Sequence, residues 1–169
     1  MRVVVAPYFF SLAKQHITCF LAGGITNCWE WQDKVINELK SYSDTGALVV
    51  MNPRRPDFPI NDPNAAPQQI MWEFYWLERC DIFSMYFAAS EQSDQPICMY
   101  ELGRNVIAMQ HRFPESYMNR IVISCEDGYR RETDVKTQMN LALGQITIST
   151  TPEEHAKRIV EAYQKLLKA

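Results

Sequence analysis

The stretch Ile17-Thr18-Cys19-Phe20-Leu21-Ala22-Gly23-Gly24 decides the fold. Its first six residues are a nearly continuous apolar run, which predicts a buried strand, and the glycine pair favours a tight turn. Residues 29–42 follow with an amphipathic pattern that predicts a helix, for which Thr26 or Asn27 is the candidate N-cap. A buried strand, a glycine turn and a helix in this order predict a β–α unit of a parallel sheet.

The same alternation of strands and helices continues along most of the chain. Because several of the apolar runs are continuous, they predict a mainly parallel sheet that is covered by helices on both faces. In the predicted helix over residues 67–79, Ile70, Phe74 and Leu77 recur at spacings of four and three. The other strands are predicted over residues 2–6, 47–51, 81–88, 120–124 and 146–149, and the other helices over 99–110 and 151–167.

Length and composition are those of an ordinary globular protein. The chain has 169 residues, of which 47% are hydrophobic and 22% charged, and we expect a single domain over residues 1–169. The net charge of −3 disfavours nucleic acid or an anionic membrane as the main partner. No apolar run approaches the roughly 20 residues needed to span a bilayer, and the first residues do not resemble a signal peptide.

The cysteines and histidines are scattered along the chain. The five cysteines form no CxxC pair, and no histidine lies at metal-ligand spacing from them. We therefore interpret the cysteines as structural thiols of a protein in the reducing cytoplasm, and we expect no metal site. His16, His111 and His155 are isolated from one another, which disfavours a catalytic or ligand role.

The loops after residues 22, 51, 88 and 124 are the predicted place for a ligand. In parallel sheets, ligands lie at the carboxyl ends of the strands, near a topological switch point. Gly23-Gly24 would let backbone approach a ligand closely, although the glycine spacing fits neither GxGxxG nor a P-loop. The long Pro- and Asn-rich loop over residues 54–64 begins with Arg54-Arg55 and is of a length that is usually functional.

Two glutamates are candidates for chemistry. Glu101 is expected at a helix start, where the positive end of the helix dipole favours an ionised carboxylate, although first-turn glutamates are common. Glu73 lies among aromatic residues and is either directed to solvent or kept for a task. Retaining glycosyl transfer uses two carboxyl groups roughly 5 Å apart, one of them the nucleophile. Because both glutamates flank the strand predicted over residues 81–88, a shared cleft is feasible.

Four short blocks in order resemble nucleoside 2-deoxyribosyltransferases. They cover about residues 17–105, and the similarity continues less distinctly to Ser149. The blocks are Phe20-Leu21-Ala22-Gly23-Gly24-Ile25-Thr26-Asn27, Asn52-Pro53-Arg54-Arg55, Ile70-Met71-Trp72-Glu73 with Asp81 eight residues on, and Tyr100-Glu101-Leu102-Gly103.

The resemblance implies a flavodoxin-like (Rossmann-like) fold of about five parallel strands between helices. It implies cleavage of the N-glycosidic bond of a 2′-deoxynucleoside through a covalent deoxyribosyl-glutamate, followed by transfer of the sugar to another nucleobase in nucleotide salvage. Glu101 stands in the place of the nucleophile, and Glu73 in that of an acidic residue that protonates or orients the base. No metal or organic cofactor is implied, and the expected assembly is a homo-oligomer, a dimer or higher.

The resemblance also implies substrate-binding residues. Asp94 lies near an acidic position that holds the sugar hydroxyls, with Ser93 or Gln95 as alternatives. Phe20 replaces the tyrosine of many relatives, and Tyr100 or Tyr8 could substitute for its phenol. The remaining predicted binding residues are Ala22, Gly23, Gly24, Trp72 and Arg54, with Trp76 and Phe58 as further stacking candidates and Arg131, Asp134 and Gln138 as candidates for a residue shared between subunits.

Two other functions remain open at this point. If water reaches the intermediate before a base does, the same scaffold is a nucleoside or nucleotide N-glycosidase. In that case Arg54-Arg55 could hold a 5′-phosphate, although at least one of the two arginines is expected to stabilise the fold. The second alternative hypothesis is a catalytically silent nucleotide-binding module, which the presence of both Glu73 and Glu101 disfavours.

Overall fold

A computed structural model of the chain describes residues 1–168. It contains five strands, five α-helices and one short 3-10 turn, and no helix in this range is long and apolar enough to cross a membrane. The strands are β1 (Arg2–Val5), β2 (Ile17–Gly23), β3 (Leu48–Asn52), β4 (Ile82–Phe87) and β5 (Ile121–Cys125). The helices are α1 (Trp31–Lys40), α2 (Ala65–Leu77), α3 (Pro96–Arg112), α4 (Glu132–Leu143) and α5 (Pro152–Leu167).

All five strands are parallel and lie in the order β1-β3-β2-β4-β5. Phe20 of β2 lies opposite Met51 of β3 on one side and Phe83 of β4 on the other. The predicted α/β, flavodoxin-like arrangement is confirmed. The chain leaves β2 for β3 and leaves β4 for β5, which lie on opposite sides, so the carboxyl ends of β2 and β4 form a topological switch point.

Helices cover both faces of the sheet, as the continuous apolar runs predict. On one face, α1 and α5 pack against alternate strand residues such as Leu21 and Val50. On the other face, α2, α3 and α4 pack against the residues between them, such as Phe20 and Met51. Since successive strand residues point to opposite faces, a strand buried on both sides has to be apolar throughout.

The start of α1 differs from the prediction. Neither Thr26 nor Asn27 caps the helix, because the chain takes six further residues after Gly24 before α1 begins at Trp31, with Glu30 as the N-cap and no side-chain cap bond. Asn27 is exposed and has a φ of 58°, which places it in a turn. The loop between β2 and α1 is therefore longer than the sequence indicates.

The buried face of α2 also differs from the spacing in the sequence. Of the three spaced residues only Leu77 is buried, together with Trp72 and Trp76, whereas Ile70 is 63% exposed and Phe74 is 54% exposed. The helix carries apolar residues on most of its circumference, and the bulkiest side chains occupy the core. The exposed face of α2 thus keeps an apolar character that the core does not use.

The C-terminal third differs from the prediction in two elements. The strand expected over residues 146–149 is reduced to a single bridge between Ser124 and Ser149, and helix α4 is not predicted from the sequence.

His155 of α5 lies in a segment rich in charge but is completely buried. Its Nε2 is 2.7 Å from Ser84 Oγ and its Nδ1 is 2.6 Å from Ser124 Oγ. Burial lowers the pKa of His155 to about 3, so the ring is neutral and joins α5 to β4 and β5.

Candidate active site

A cleft of about 230 Å³ opens at the carboxyl ends of β2 and β4, at the topological switch point. Its walls come from the end of β2 and the following loop, from the residue after β3, from α2, and from the first turns of α3 with the loop that leads into them. The lining residues are Phe20, Ala22, Gly23, Gly24, Ile25, Thr26, Pro53, Glu73, Ser93, Gln95, Pro96, Ile97, Cys98 and Glu101.

Both candidate catalytic glutamates line this one cleft. Glu73 projects from α2 and Glu101 from α3, and both side chains are partly buried. Along the chain, α2 leads into β4 and α3 follows it, and both helices pack on the same face of the sheet. Two carboxyl groups in one partly closed cleft are the minimum that double-displacement glycosyl transfer requires.

The position of Glu101 in α3 and its pKa both differ from what a glutamate at a helix start would have. Glu101 is the sixth residue of α3, beyond the first turn in which the helix dipole acts most strongly. Burial and, to a smaller extent, the nearby carboxylate of Glu73 raise its pKa to about 7, although Arg104 partly offsets both effects. Desolvation and the like charge of Glu73 therefore dominate the electrostatics of this carboxylate.

Glu73 is held in place by Gln69, one turn earlier on α2. The Gln69 amide nitrogen donates to Glu73 Oε1 at 2.9 Å and to the Pro53 carbonyl at 2.5 Å. Burial raises the pKa of Glu73, and the hydrogen bond from Gln69 lowers it in part. Since two like charges in a desolvated cleft disfavour each other, the pair holds one proton over a range below about pH 7.

Two glycines fit the turn after β2 for different reasons. Gly23 has a φ of 151°, and a Cβ there would lie 2.2 Å from the Tyr86 carbonyl oxygen. A Cβ on Gly24 would lie 2.5 Å from both Cys28 Sγ and Gln95 Oε1. At both positions the space that a Cβ would need is filled by atoms of the protein itself, so the glycines allow the close packing of a turn that lines the cleft.

The loop into α3 contributes Ser93 and Gln95 to the lining instead of Asp94. The Asp94 carboxylate pairs with Arg130 at 3.2 Å, and its carbonyl accepts a hydrogen bond from Tyr129. Gln95 has a φ of 50° and is buried against the turn after β2, where its Oε1 accepts from the Gly24 amide. The sequence indicates Gln95 only as an alternative to Asp94, because it gives no sign of the left-handed backbone at Gln95.

Four other predicted binding residues lie outside the lining. Trp72 is buried behind the cleft, its ring centroid 5.9 Å from that of Phe20, and its indole donates to the Tyr8 carbonyl. Arg54 directs its guanidinium to backbone carbonyls of the loop after β2. Trp76 packs in the core, and Phe58 lies under Arg55 at 5.3 Å.

The remaining candidates surround the cleft at a distance. Tyr8 and Tyr100 are exposed and are not part of the lining, so neither replaces the phenol that Phe20 lacks. Arg131, Asp134 and Gln138 line a separate surface depression together with Asp94. Within residues 1–168, no group of three or more His, Cys, Asp or Glu side chains is arranged to hold a metal ion.

Comparison with known families identifies the class. Residues 16–112, more than half of the chain, match the family described as nucleoside 2-deoxyribosyltransferase like, and the chain belongs to that family. The matched segment runs from the start of β2 to the end of α3 and so contains every residue that lines the cleft. No curated protein matches the chain. The family implies an enzyme of the glycosyl-transfer or glycosyl-hydrolysis type with nucleoside substrates.

Proposed function

We propose that the protein is a nucleoside 2-deoxyribosyltransferase that exchanges the base of a 2′-deoxynucleoside. The observation that carries this proposal is the pair Glu73 and Glu101 in one cleft at the switch point of the sheet. Desolvation raises the pKa of both carboxyls, and the charge of Glu73 raises that of Glu101 further, which allows one carboxyl to be ionised while the other keeps a proton. The exchange serves nucleotide salvage in the cytoplasm.

The first step forms a glycosyl-enzyme. A carboxylate oxygen of Glu101 attacks C1′, the C1′–N bond breaks, and its electron pair leaves with the base, which takes the proton of Glu73. In the second step a nitrogen of the incoming base attacks C1′ and the bond to Glu101 breaks. The proton of that nitrogen returns to Glu73, so the pair regains its starting state and the configuration at C1′ is retained.

The lining favours nucleosides over nucleotides. None of the described side chains that line the cleft is Arg, Lys or His, whereas two are carboxyls. A 5′-phosphate would therefore meet negative charge without a cation to offset it. Arg54, one of the two predicted phosphate ligands, has its Nε and Nη2 atoms in contacts with Gln32 and with backbone carbonyls, and neither Arg54 nor Arg55 lines the cleft. The apolar part of the lining, Phe20, Pro53 and Ile97 among others, suits a flat base.

The assembly we propose is a homo-oligomer, as the family resemblance implies. Large apolar side chains beside the cleft are exposed on α2 and α3, among them Ile70, Met71, Phe74 and Tyr100. A second copy of the chain on this surface would cover them and would narrow the mouth of the cleft.

Base exchange is the test that separates transfer from hydrolysis. The protein is incubated with 2′-deoxynucleosides, with and without a second free base, and the products are separated by chromatography. We expect a new deoxynucleoside whose formation depends on the second base, and roughly 10³-fold or greater loss in Glu101→Gln. Free deoxyribose that forms at the same rate without an acceptor would instead show an N-glycosidase.

A further inference from the structure

The backbone of Gly24 is held by three side chains from three other parts of the chain. Its carbonyl oxygen accepts from the Trp31 indole at 2.8 Å and lies 3.4 Å from Arg54 Nη2. Its amide donates to Gln95 Oε1 at 3.1 Å. Because Gly24 lines the cleft, the orientation of these two peptide groups is part of the shape of the site.

Arg54 makes the most contacts with this loop. Besides Gly24, its Nη2 lies within 3.3 Å of the carbonyl oxygens of Ile25, Cys28 and Trp29, and its Nε donates to Gln32 Oε1 at 2.7 Å. Two N–H groups on Nη2 are shared among four oxygens, so the contacts act as a cluster rather than as four full bonds. Carbonyls that converge in this way would be costly to bury without a cation.

The topology explains why Arg54 reaches this loop. It follows β3, which pairs in parallel with β2, so the loops at the carboxyl ends of the two strands are neighbours. The Arg54 amide donates to Asn52 Oδ1 at 3.0 Å, which fixes the backbone from which the side chain starts. The loop after β2 is thus tied to β3 by Arg54 and to α3, the helix of Glu101, by Gln95.

We propose that Arg54 is a positioning residue that holds residues 24–29 as one wall of the cleft and thereby sets where the sugar lies relative to Glu101. This inference rests on the proposed function for its kinetic consequence, while its structural consequence is independent of activity. Lysine cannot replace the guanidinium, because a single ammonium does not reach both Gln32 and the loop carbonyls. Arg54 is not among the groups that shift the pKa of Glu101, and we expect its effect to be geometric.

Hydrogen exchange gives a test that needs no substrate. Exchange of the amides of residues 24–29 is followed by mass spectrometry in the wild type, in Arg54→Met and in Arg54→Lys. We expect about ten-fold or faster exchange in Arg54→Met and an intermediate effect in Arg54→Lys. The matched control is Arg55→Met, since the Arg55 guanidinium stacks on the Phe58 ring and its Nη1 has no hydrogen-bond partner.

Kinetics with a phosphate-free deoxynucleoside complete the test. We expect kcat for base exchange to fall about 10- to 100-fold in Arg54→Met, with partial recovery in Arg54→Lys and with the acid limb of the pH profile unmoved. Unchanged exchange of residues 24–29 in both Arg54 variants, or an equal effect in Arg55→Met, would overturn the proposal. If Arg54→Met does not fold, Arg54→Lys decides by the same criteria. If the wild type shows no transfer, the proposed function fails and hydrogen exchange alone decides the role of Arg54.

Discussion

At the scale of single residues, the protonation of Glu101 limits the reaction. The nucleophile has to be ionised, yet burial and Glu73 raise its pKa to about 7. The leaving base needs a proton, which an ionised Glu73 cannot give. The reactive form therefore has one proton on the pair, with that proton on Glu73, and we expect a bell-shaped dependence of kcat/KM on pH for an ordinary deoxynucleoside.

Replacing Glu73 by Gln separates the two roles. Removal of the like charge lowers the pKa of Glu101, so formation of the glycosyl-enzyme extends to lower pH than in the wild type. With an ordinary donor the rate falls about 10²- to 10⁴-fold, since no acid protonates the base. With a donor that carries an electron-poor base, such as 5-trifluoromethyluracil, the rate falls much less, because this base can leave without a proton. Single-turnover rates of base release between pH 4 and 9 measure both effects.

The control for this pair is Glu115→Gln, because Glu115 is exposed and does not line the cleft. It should leave the rates and the pH profile unchanged. The assignment of Glu73 as the acid is contradicted if Glu73→Gln loses the same factor with both donors, or if its acid limb stays where it is in the wild type.

At the scale of elements, the two faces of α2 have different tasks. Its inner face places Trp72 and Trp76 in the core, while Glu73 reaches the cleft and Gln69 holds it there. Its outer face remains apolar and exposed at Ile70, Met71 and Phe74. Large exposed apolar surfaces are typical of protein–protein contacts, which is consistent with the proposed oligomer.

Acidic substitutions on the exposed apolar face of α2 should dissociate the oligomer. We expect wild-type protein to sediment as a dimer or larger species, and Ile70→Glu/Met71→Glu to sediment as a monomer, because carboxylates would be buried at the contact. Analytical ultracentrifugation at micromolar concentration measures the mass. Leu141→Glu is the control, since Leu141 is 78% exposed on α4. A monomeric wild type, or an unchanged mass in the double variant, would rule out an oligomer formed through this surface.

The bounds of the helices and the faces that they bury are harder to predict from the sequence than the strands are. The strands were readable because both of their faces are buried, which requires continuous apolar runs. The buried face of α2 cannot be predicted in this way, since its apolar residues occupy most of the circumference of the helix. His155 could not be recognised as buried, because its partners Ser84 and Ser124 come from strands 71 and 31 residues away in sequence.

At the scale of the whole molecule, parallel topology is what brings the site together. The expectation that ligands lie beyond the carboxyl ends of the strands located the cleft, and the glycine turn and both glutamates are found there. The contacts between loops were not predictable in the same way. That Arg54 binds carbonyls, that Gln95 holds Gly24 and that Asp94 faces Arg130 depend on side-chain directions that chain order does not encode.

Direct detection of sugar on Glu101 tests the central claim. The protein is mixed with a deoxynucleoside in the absence of an acceptor base, quenched in acid and analysed by intact-mass and peptide mass spectrometry. We predict a gain of one 2-deoxyribosyl group on the peptide that contains Glu101, its loss on addition of a second base, and its absence in Glu101→Gln. Turnover without any adduct, or an adduct that persists in Glu101→Gln, would contradict the account.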